Sequence, residues 1–181
     1  MPASAASPAA IAELAPTGKL RAAINFGNPV LAAKDPVTGE PGGISTDLAR
    51  ELARRLGVAI EFVRYEAAGK VVEGLKSAAW DVCFLAIDPV RAADISFTPP
   101  YVMIEGVYMV ASASPIRSNA DADRPGKRVG VIVGSAYDLF LSRELTQATI
   151  VRAADIEAVM DLLAAGKLDA VAGVKPQLEA I

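Results

Sequence analysis

Arg91 is the residue of this chain best suited to hold a small anion. It follows the apolar run Val82-Cys83-Phe84-Leu85-Ala86 and precedes an aromatic, proline-marked segment, Ile95 to Tyr101. A guanidinium stays charged at any working pH, and its planar fork offers a carboxylate two parallel hydrogen bonds. The plain alternative is an arginine solvated at the surface. Just before it, Asp88-Pro89 reads as a helix start, with Asp as N-cap and Pro in the first helical position. Asp88 thus has a structural reading beside that of a ligand contact, and Arg91 falls one turn inward from the cap. Further along, Gly134-Ser135-Ala136-Tyr137-Asp138 opens a helix whose backbone N–H groups and dipole attract an anion. Ser135 with Asp138 also fits a capping box, which would use a donor internally and bring a carboxylate close. Both uses are compatible if they take different N–H groups. Asn25 and Phe26 end the first strand; the Phe26 ring could face a ligand or fill core.

Composition removes several chemistries. The 181 residues contain no histidine and one cysteine, Cys83, inside an apolar run. Histidine acid–base catalysis, Ser-His or Cys-His pairs and ordinary zinc sites are excluded within one chain, and no metal or cofactor is expected. Cys83 reads as a small buried hydrophobe. A net charge of -3 provides no case for nucleic acid, and neither a Walker loop nor Gly-x-Gly-x-x-Gly is present. With 52% hydrophobic and 22% charged residues the chain reads as globular. No stretch of eighteen apolar residues suggests a membrane span, and the start lacks the basic and apolar regions of a secretory signal.

Strands alternating with helices must position these groups. Residues 1–18 read as a loose Ala/Pro/Ser arm with a short helix around Ala9 to Leu14. Leu20 to Phe26 reads as a strand, and Gly27 to Gly43 as a surface loop. From Ser45 a helix follows, with Ile44, Leu48, Leu52 and Leu56 as its stripe, Ser45 or Thr46 as cap and Gly57 as stop. Val58 to Tyr65 is a strand, Lys70 to Ala78 a helix and Trp80 to Ala86 a buried strand. Thr98 to Tyr101 and Glu105 to Ala111 look extended, with Trp80, Tyr101 and Tyr108 packing near this connection. A second series covers strand Arg128 to Val133, helix Ala136 to Leu145, strand Thr149 to Arg152, helix Asp155 to Ala165 and strand Leu168 to Gly173. The order predicts an α/β fold of two lobes, 19–108 and 109–181, each a mostly parallel sheet with flanking helices. Ligands of such sheets bind beyond the carboxyl ends of strands.

Four segments carry a resemblance: Gly43-Ile44-Ser45-Thr46-Asp47-Leu48; Gly74-Leu75 with Trp80-Asp81-Val82; Arg91-x-x-x-Ile95-x-Phe97-Thr98-x-Pro100-Tyr101; and Ala165-Gly166-Lys167-Leu168-Asp169-Ala170-Val171. Together they resemble the family 3 extracellular solute-binding proteins, the polar amino-acid receptors of ABC importers, which have a type II periplasmic-binding fold. The resemblance implies non-catalytic binding of a small carboxylate-bearing solute between lobes that close as a clamp, delivery to an ABC permease, and a periplasmic location; the unsignalled start keeps a cytoplasmic one open. It puts Arg91 on the ligand carboxylate, Asn25 and Phe26 near the first loop, Ala86 and Asp88 before the anchor, and Ser135 and Ala136 at the helix start that adds backbone donors. Val174 stands where amino-acid receptors carry an acid for the ammonium, which points to a carboxylate without a free amine. The chain ends where the family's would return to the first lobe, so truncation is expected. Alternatives are an enzyme on the same fold, such as a cyclohexadienyl dehydratase-like lyase with Asp88, Glu105 or Asp138 as acid, or a sensory module that has lost transport.

Overall fold

The computed structural model describes residues 6–181, which divide into two compact units with the boundary between Leu85 and Ala86. The sequence alone put this division at 108/109, so residues 86–108 are the difference.

The first unit is built on β1 (Lys19–Asn25), whose Ala22, Ala23 and Ile24 are buried. The two-residue strands β2 (Ala33–Lys34) and β3 (Pro41–Gly42) form a hairpin inside the predicted loop. After α2 (Ile44–Leu56) come β4 (Ala59–Tyr65), α3 (Ala68–Leu75) and β5 (Val82–Cys83), and the sheet order is β4-β1-β5, all parallel. Preceding them is α1 (Pro8–Leu14), capped by Ser7. Its Ile11 and Leu14 pack on Leu20, Ala53 and Leu56, so the segment expected to be a loose arm is docked there. Residues 1–5 of that arm lie outside the described residues.

Two expectations for α2 are corrected. Gly43, not Ser45 or Thr46, is the N-cap; Thr46 Oγ1 donates to the Gly43 carbonyl at 2.7 Å, and the Ser45 amide donates to Leu31 O at 3.0 Å. The buried face is Ser45, Thr46, Ala49, Ala53 and Leu56, while Ile44 and Leu48 are 44% and 41% exposed. Small alanines let the helix lie close on the sheet, and that close approach outweighs the larger side chains in choosing the face. Of the predicted strand from Trp80 to Ala86, β5 takes in Val82 and Cys83, which lie beside Ala22 and Ala23 of β1. Trp80 is buried in the first unit, its Nε1–H donating to Val71 O at 2.9 Å, rather than near the connection.

The second unit carries β6 (Gly106–Met109), α4 (Asn119–Ala122), β7 (Arg128–Ile132), α5 (Ala136–Glu144), β8 (Thr149–Ala153), α6 (Ile156–Ala164), β9 (Ala170–Val174) and α7 (Lys175–Glu179). Its sheet runs β6-β9-β7-β8, antiparallel only at β6. Val129 and Val131 pack with Leu141 of α5 on one face, while Ile132 and Val171 pack with Val159 of α6 on the other. Strand periodicity with both faces covered explains why β7 reads as a continuous apolar run. Thr98 to Tyr101 is not a strand; Pro99 and Pro100 offer no N–H to a ladder.

Each unit contains its own arginine–aspartate clasp, which local sequence barely shows. In the first, Asp81 accepts from the Arg21 amide at 2.8 Å, Nε at 3.1 Å and Nη2 at 2.5 Å, while Arg21 Nη1 donates to Ala78 O at 2.6 Å. In the second, Asp169 accepts from the Arg128 amide and Nε, each at 3.0 Å, and Arg128 Nη2 donates to Gly166 O at 2.9 Å. Each clasp fastens the end of one helix and the start of one strand to the strand beside it. Three residues before its aspartate the chain turns left-handed, at Gly166 with φ 66° and at Ala78 with φ 49°. Helix-end bonds match too: Ala78 N–H to Leu75 O and Ala79 N–H to Gly74 O mirror Gly166 N–H to Leu163 O and Lys167 N–H to Leu162 O. A Cβ in this conformation costs about 1–2 kcal/mol, partly offset by the greater unfolded-state entropy of glycine. Ala78→Gly is therefore expected to stabilise the first unit by about 0.5–1 kcal/mol, read as a raised urea midpoint of Trp80 fluorescence. An unchanged or lower midpoint would contradict this account.

Asp123 closes another loop of the second unit, accepting from the amides of Thr146, Gln147 and Ala148 and from the Thr146 hydroxyl. These donors, the Thr146 amide foremost, hold its carboxyl down at about 2. A depressed carboxyl contributes stability that is present above its unfolded value near 4 and is lost as pH falls through about 2. Asp123→Asn is expected to lower stability at pH 7 and to flatten the loss of stability between about pH 4 and 2, checked by denaturation at a series of pH values.

Candidate functional site

The segment leaving the first unit makes one tight turn, not the α-helix that Asp88-Pro89 suggests. Asp88 Oδ1 accepts the Val90 amide at 2.8 Å, Asp88 O accepts the Ala92 amide at 2.8 Å, and Arg91–Ala93 is a single 3-10 turn. Asp88 thus starts the turn as an N-cap would, but the chain leaves helical geometry after Asp94. The turn holds Arg91, which is 3% exposed. Its fork spans two backbone carbonyls of the second unit, Nη1 to Ala86 O at 3.0 Å and Nη2 to Gly134 O at 2.9 Å. Arg91 is therefore neither a solvated surface residue nor distant from the helix start that the sequence singles out.

Gly134 links the anchor to α5. Its carbonyl accepts from Arg91, while its amide donates to Asp138 Oδ2 at 2.8 Å. Ser135 Oγ accepts the Asp138 amide at 3.1 Å, so the cap forms, with the carboxylate returning to Gly134 and not to Ser135 as a capping box would have it. Asp138 is 4% exposed and also takes Arg152 Nε on Oδ1 at 2.9 Å. Ser142 completes this cluster, donating to Asp138 O at 2.7 Å and accepting from Arg152 Nη2 at 2.7 Å. Burial pushes the neighbouring Tyr137 phenol up, against the opposing Ser135 hydrogen bond.

Asp88 is 3% exposed, and its Oδ2 accepts Arg143 Nη2 of α5 at 2.8 Å. Burial works to raise its carboxyl, but Arg143, the Val90 amide and the charges of Arg143 and Arg91 outweigh it and hold it below its ordinary value. Arg91 reaches the start of α5 through Gly134 O, while Arg143 of the last turn pairs with Asp88 and Arg152 pairs with Asp138. With Asp88 and Asp138 each paired to another arginine, the charge of Arg91 adds to the positive end of the α5 dipole. That electrostatic setting favours a small anion.

Ala86, Asp88, Arg91, Ser135 and Ala136 are thus brought together by the second unit. Val174 ends β9 opposite Gly106 of β6; next to it Lys175 donates its amide to Glu105 O and pairs with Glu105 Oε2 at 3.2 Å. Asn25 and Phe26 belong to the first unit. There Asn25 Oδ1 accepts the Gly27 amide at 3.0 Å, and Lys34 Nζ stands 4.9 Å over the half-buried Phe26 ring. Arg143 and Arg152 were missed by sequence reasoning. On α5, Arg143 looks like a routine dipole-complementing residue of the last turn, and only tertiary contact joins it to Asp88, 55 residues away.

Residues 20–129 match the family described as bacterial extracellular solute-binding proteins, family 3. The chain belongs to that family. Among family-related proteins, the L-arginine-binding protein of Pseudomonas aeruginosa is 30% identical over 165 residues, 88% of this chain and 62% of that protein. The histidine-binding periplasmic protein of Salmonella typhimurium is 32% identical over 56% of this chain and 39% of its own length. This family 3 chain therefore spans about three fifths of the first of these relatives and two fifths of the second. Holo ArgBP from T. maritima superposes with a TM-score of 0.75 at 27% identity, over 93% of this chain and 74% of that one. An ancestral amino acid-binding protein, a precursor of cyclohexadienyl dehydratase, gives 0.75 at 26% over 92% and 75%. The fold is that of the type II periplasmic-binding proteins. Among the described residues no helix is long and apolar enough to cross a membrane, and no group of acidic and cysteine side chains could hold a metal ion.

Proposed function

We propose that this protein binds a small carboxylate-bearing solute without chemical change, with Arg91 gripping the carboxylate and the first amides of α5 adding donors. The reading extends to delivery of the solute to an ABC permease from outside the cytoplasm, in keeping with the family's extracellular description. The observation that carries it is the hydrogen bond from Arg91 to Gly134 O, which sets a buried fork at the positive end of a helix. A carboxylate entering there replaces neutral carbonyl acceptors with a charged one, and charge-assisted bonds are roughly twice as strong.

The relatives' ligands, arginine and histidine, carry both a carboxylate and an ammonium. Val174 supplies no carboxylate to that ammonium, and the nearby Glu105 is paired with Lys175. The preferred solute is accordingly a carboxylate whose affinity does not depend on an α-amine. The test is isothermal titration with L-arginine, L-histidine and the deaminated analogue 5-guanidinopentanoate, alongside a thermal-shift screen of keto and aromatic acids. Saturable binding of a carboxylate, with the deaminated form at least as tight, is the expected result. Binding of the uncharged amide in place of the acid would overturn the anchor.

A second reading, an enzyme on this fold, is favoured by the dehydratase precursor among the structural neighbours. It requires a carboxylic acid held protonated at the site, and Asp88 is held in the opposite direction. Turnover of prephenate or arogenate would establish this reading in place of simple binding.

A further inference from the structure

Arg143 lies on the far turn of α5 from the anchor, and its only described side-chain partner is Asp88. Asp88 and Arg91 sit three residues apart in one helical turn, the spacing at which an aspartate and an arginine pair with each other. Yet the two strongest directional bonds of Asp88 go elsewhere, Oδ1 to the Val90 amide and Oδ2 to Arg143, while the fork of Arg91 reaches the carbonyls of Ala86 and Gly134. We infer that Arg143 is a positioning residue of the anion site: by engaging Asp88 it keeps that carboxylate from competing with the solute for Arg91. The inference rests on the binding reading above and names what regulates the same site.

The charge count makes the argument. Apart from the exposed Asp94 at the end of the turn, Arg91, Arg143 and Asp88 count two positive groups and one negative; without Arg143, Asp88 and Arg91 are left as a neighbouring buried pair that neutralises itself. A buried charge deprived of its partner takes the nearest opposite one, because an uncompensated charge away from water is strongly disfavoured. An incoming carboxylate would then have to displace Asp88. The charge of Arg91 already acts on the Asp88 carboxyl, in keeping with their proximity.

The deciding experiment is a rescue. Arg143→Ala is expected to weaken binding of 5-guanidinopentanoate and L-arginine about tenfold or more. Asp88→Asn keeps an oxygen for the Val90 amide but removes the negative charge, so the double variant Asp88→Asn/Arg143→Ala is expected to recover most of the affinity. If Arg143 merely braces the turn, the double variant binds as weakly as Arg143→Ala or more weakly, and the inference falls. A measurement without solute separates this from failure of the binding reading. The Nε–Hε resonance of Arg91 is expected to shift in Arg143→Ala and to return towards its original position in the double variant. If neither probe binds the unmodified protein, the binding reading fails on its ligand class; an Arg91 resonance unmoved by Arg143→Ala overturns the inference on its own.

Discussion

Arg91→Ala is expected to lower solute affinity by about 30-fold to a few thousand-fold, the range that follows from removing one partner of a buried, hydrogen-bonded charge pair at about 2–5 kcal/mol. The lower end applies if the amides of α5 carry part of the carboxylate's load, the upper end if the fork carries nearly all of it. Because Arg91 is buried and ties the turn to Gly134, its removal also loosens the unliganded protein. Arg91→Lys separates the two effects. It keeps the charge and loses the fork, so it is expected to retain the fold by circular dichroism while binding at least about tenfold more weakly. Equal affinity of Arg91→Lys and the unmodified protein would show that a point charge suffices and that two-pronged recognition plays no part.

Gly43→Ala is expected to damage the fold severely, because it joins a left-handed backbone to a clash with backbone atoms. Gly43 caps α2 with φ 104° and ψ -177°, a conformation adopted essentially by glycine alone. A Cβ there would stand 2.8 Å from Leu31 O and 3.2 Å from Ala32 Cα, both backbone atoms that cannot rotate away. Backbone strain of about 1–3 kcal/mol is joined by displacement of the 28–32 segment, and a loss of at least about 3 kcal/mol is expected, a large share of a typical total of about 5–15. Trp80 is the single tryptophan and is buried in the same unit, so its emission reports the loss directly. Gly39→Ala is the control: φ is 70°, but nothing lies within 4 Å of the added Cβ. It is expected to cost only about 1 kcal/mol. Similar costs for the two variants would refute the contribution of the clash.

Residue order alone determined much about this protein. Alternating strand and helix patterns, the Gly57 stop, the Ser135 cap and the arginine before an aromatic segment are all local signals, because periodicity, caps and turns are set by neighbours in the chain. They led to an α/β architecture, to the family and to Arg91 with the start of α5. Where local signals competed with packing, they failed. The leucine-type stripe of α2 gave way to the alanine face because close approach to β1 and β4 rewards small residues. The helix that Asp88-Pro89 announces is cut to one turn, with Asp88 turned to Arg143. Only tertiary structure joined Asp88 to Arg143, Asp138 to Arg152 and Arg21 to Asp81, pairs separated by 55, 14 and 60 residues. A charge's partner depends on distance through space and on burial, and neither is written in the spacing of residues along the chain.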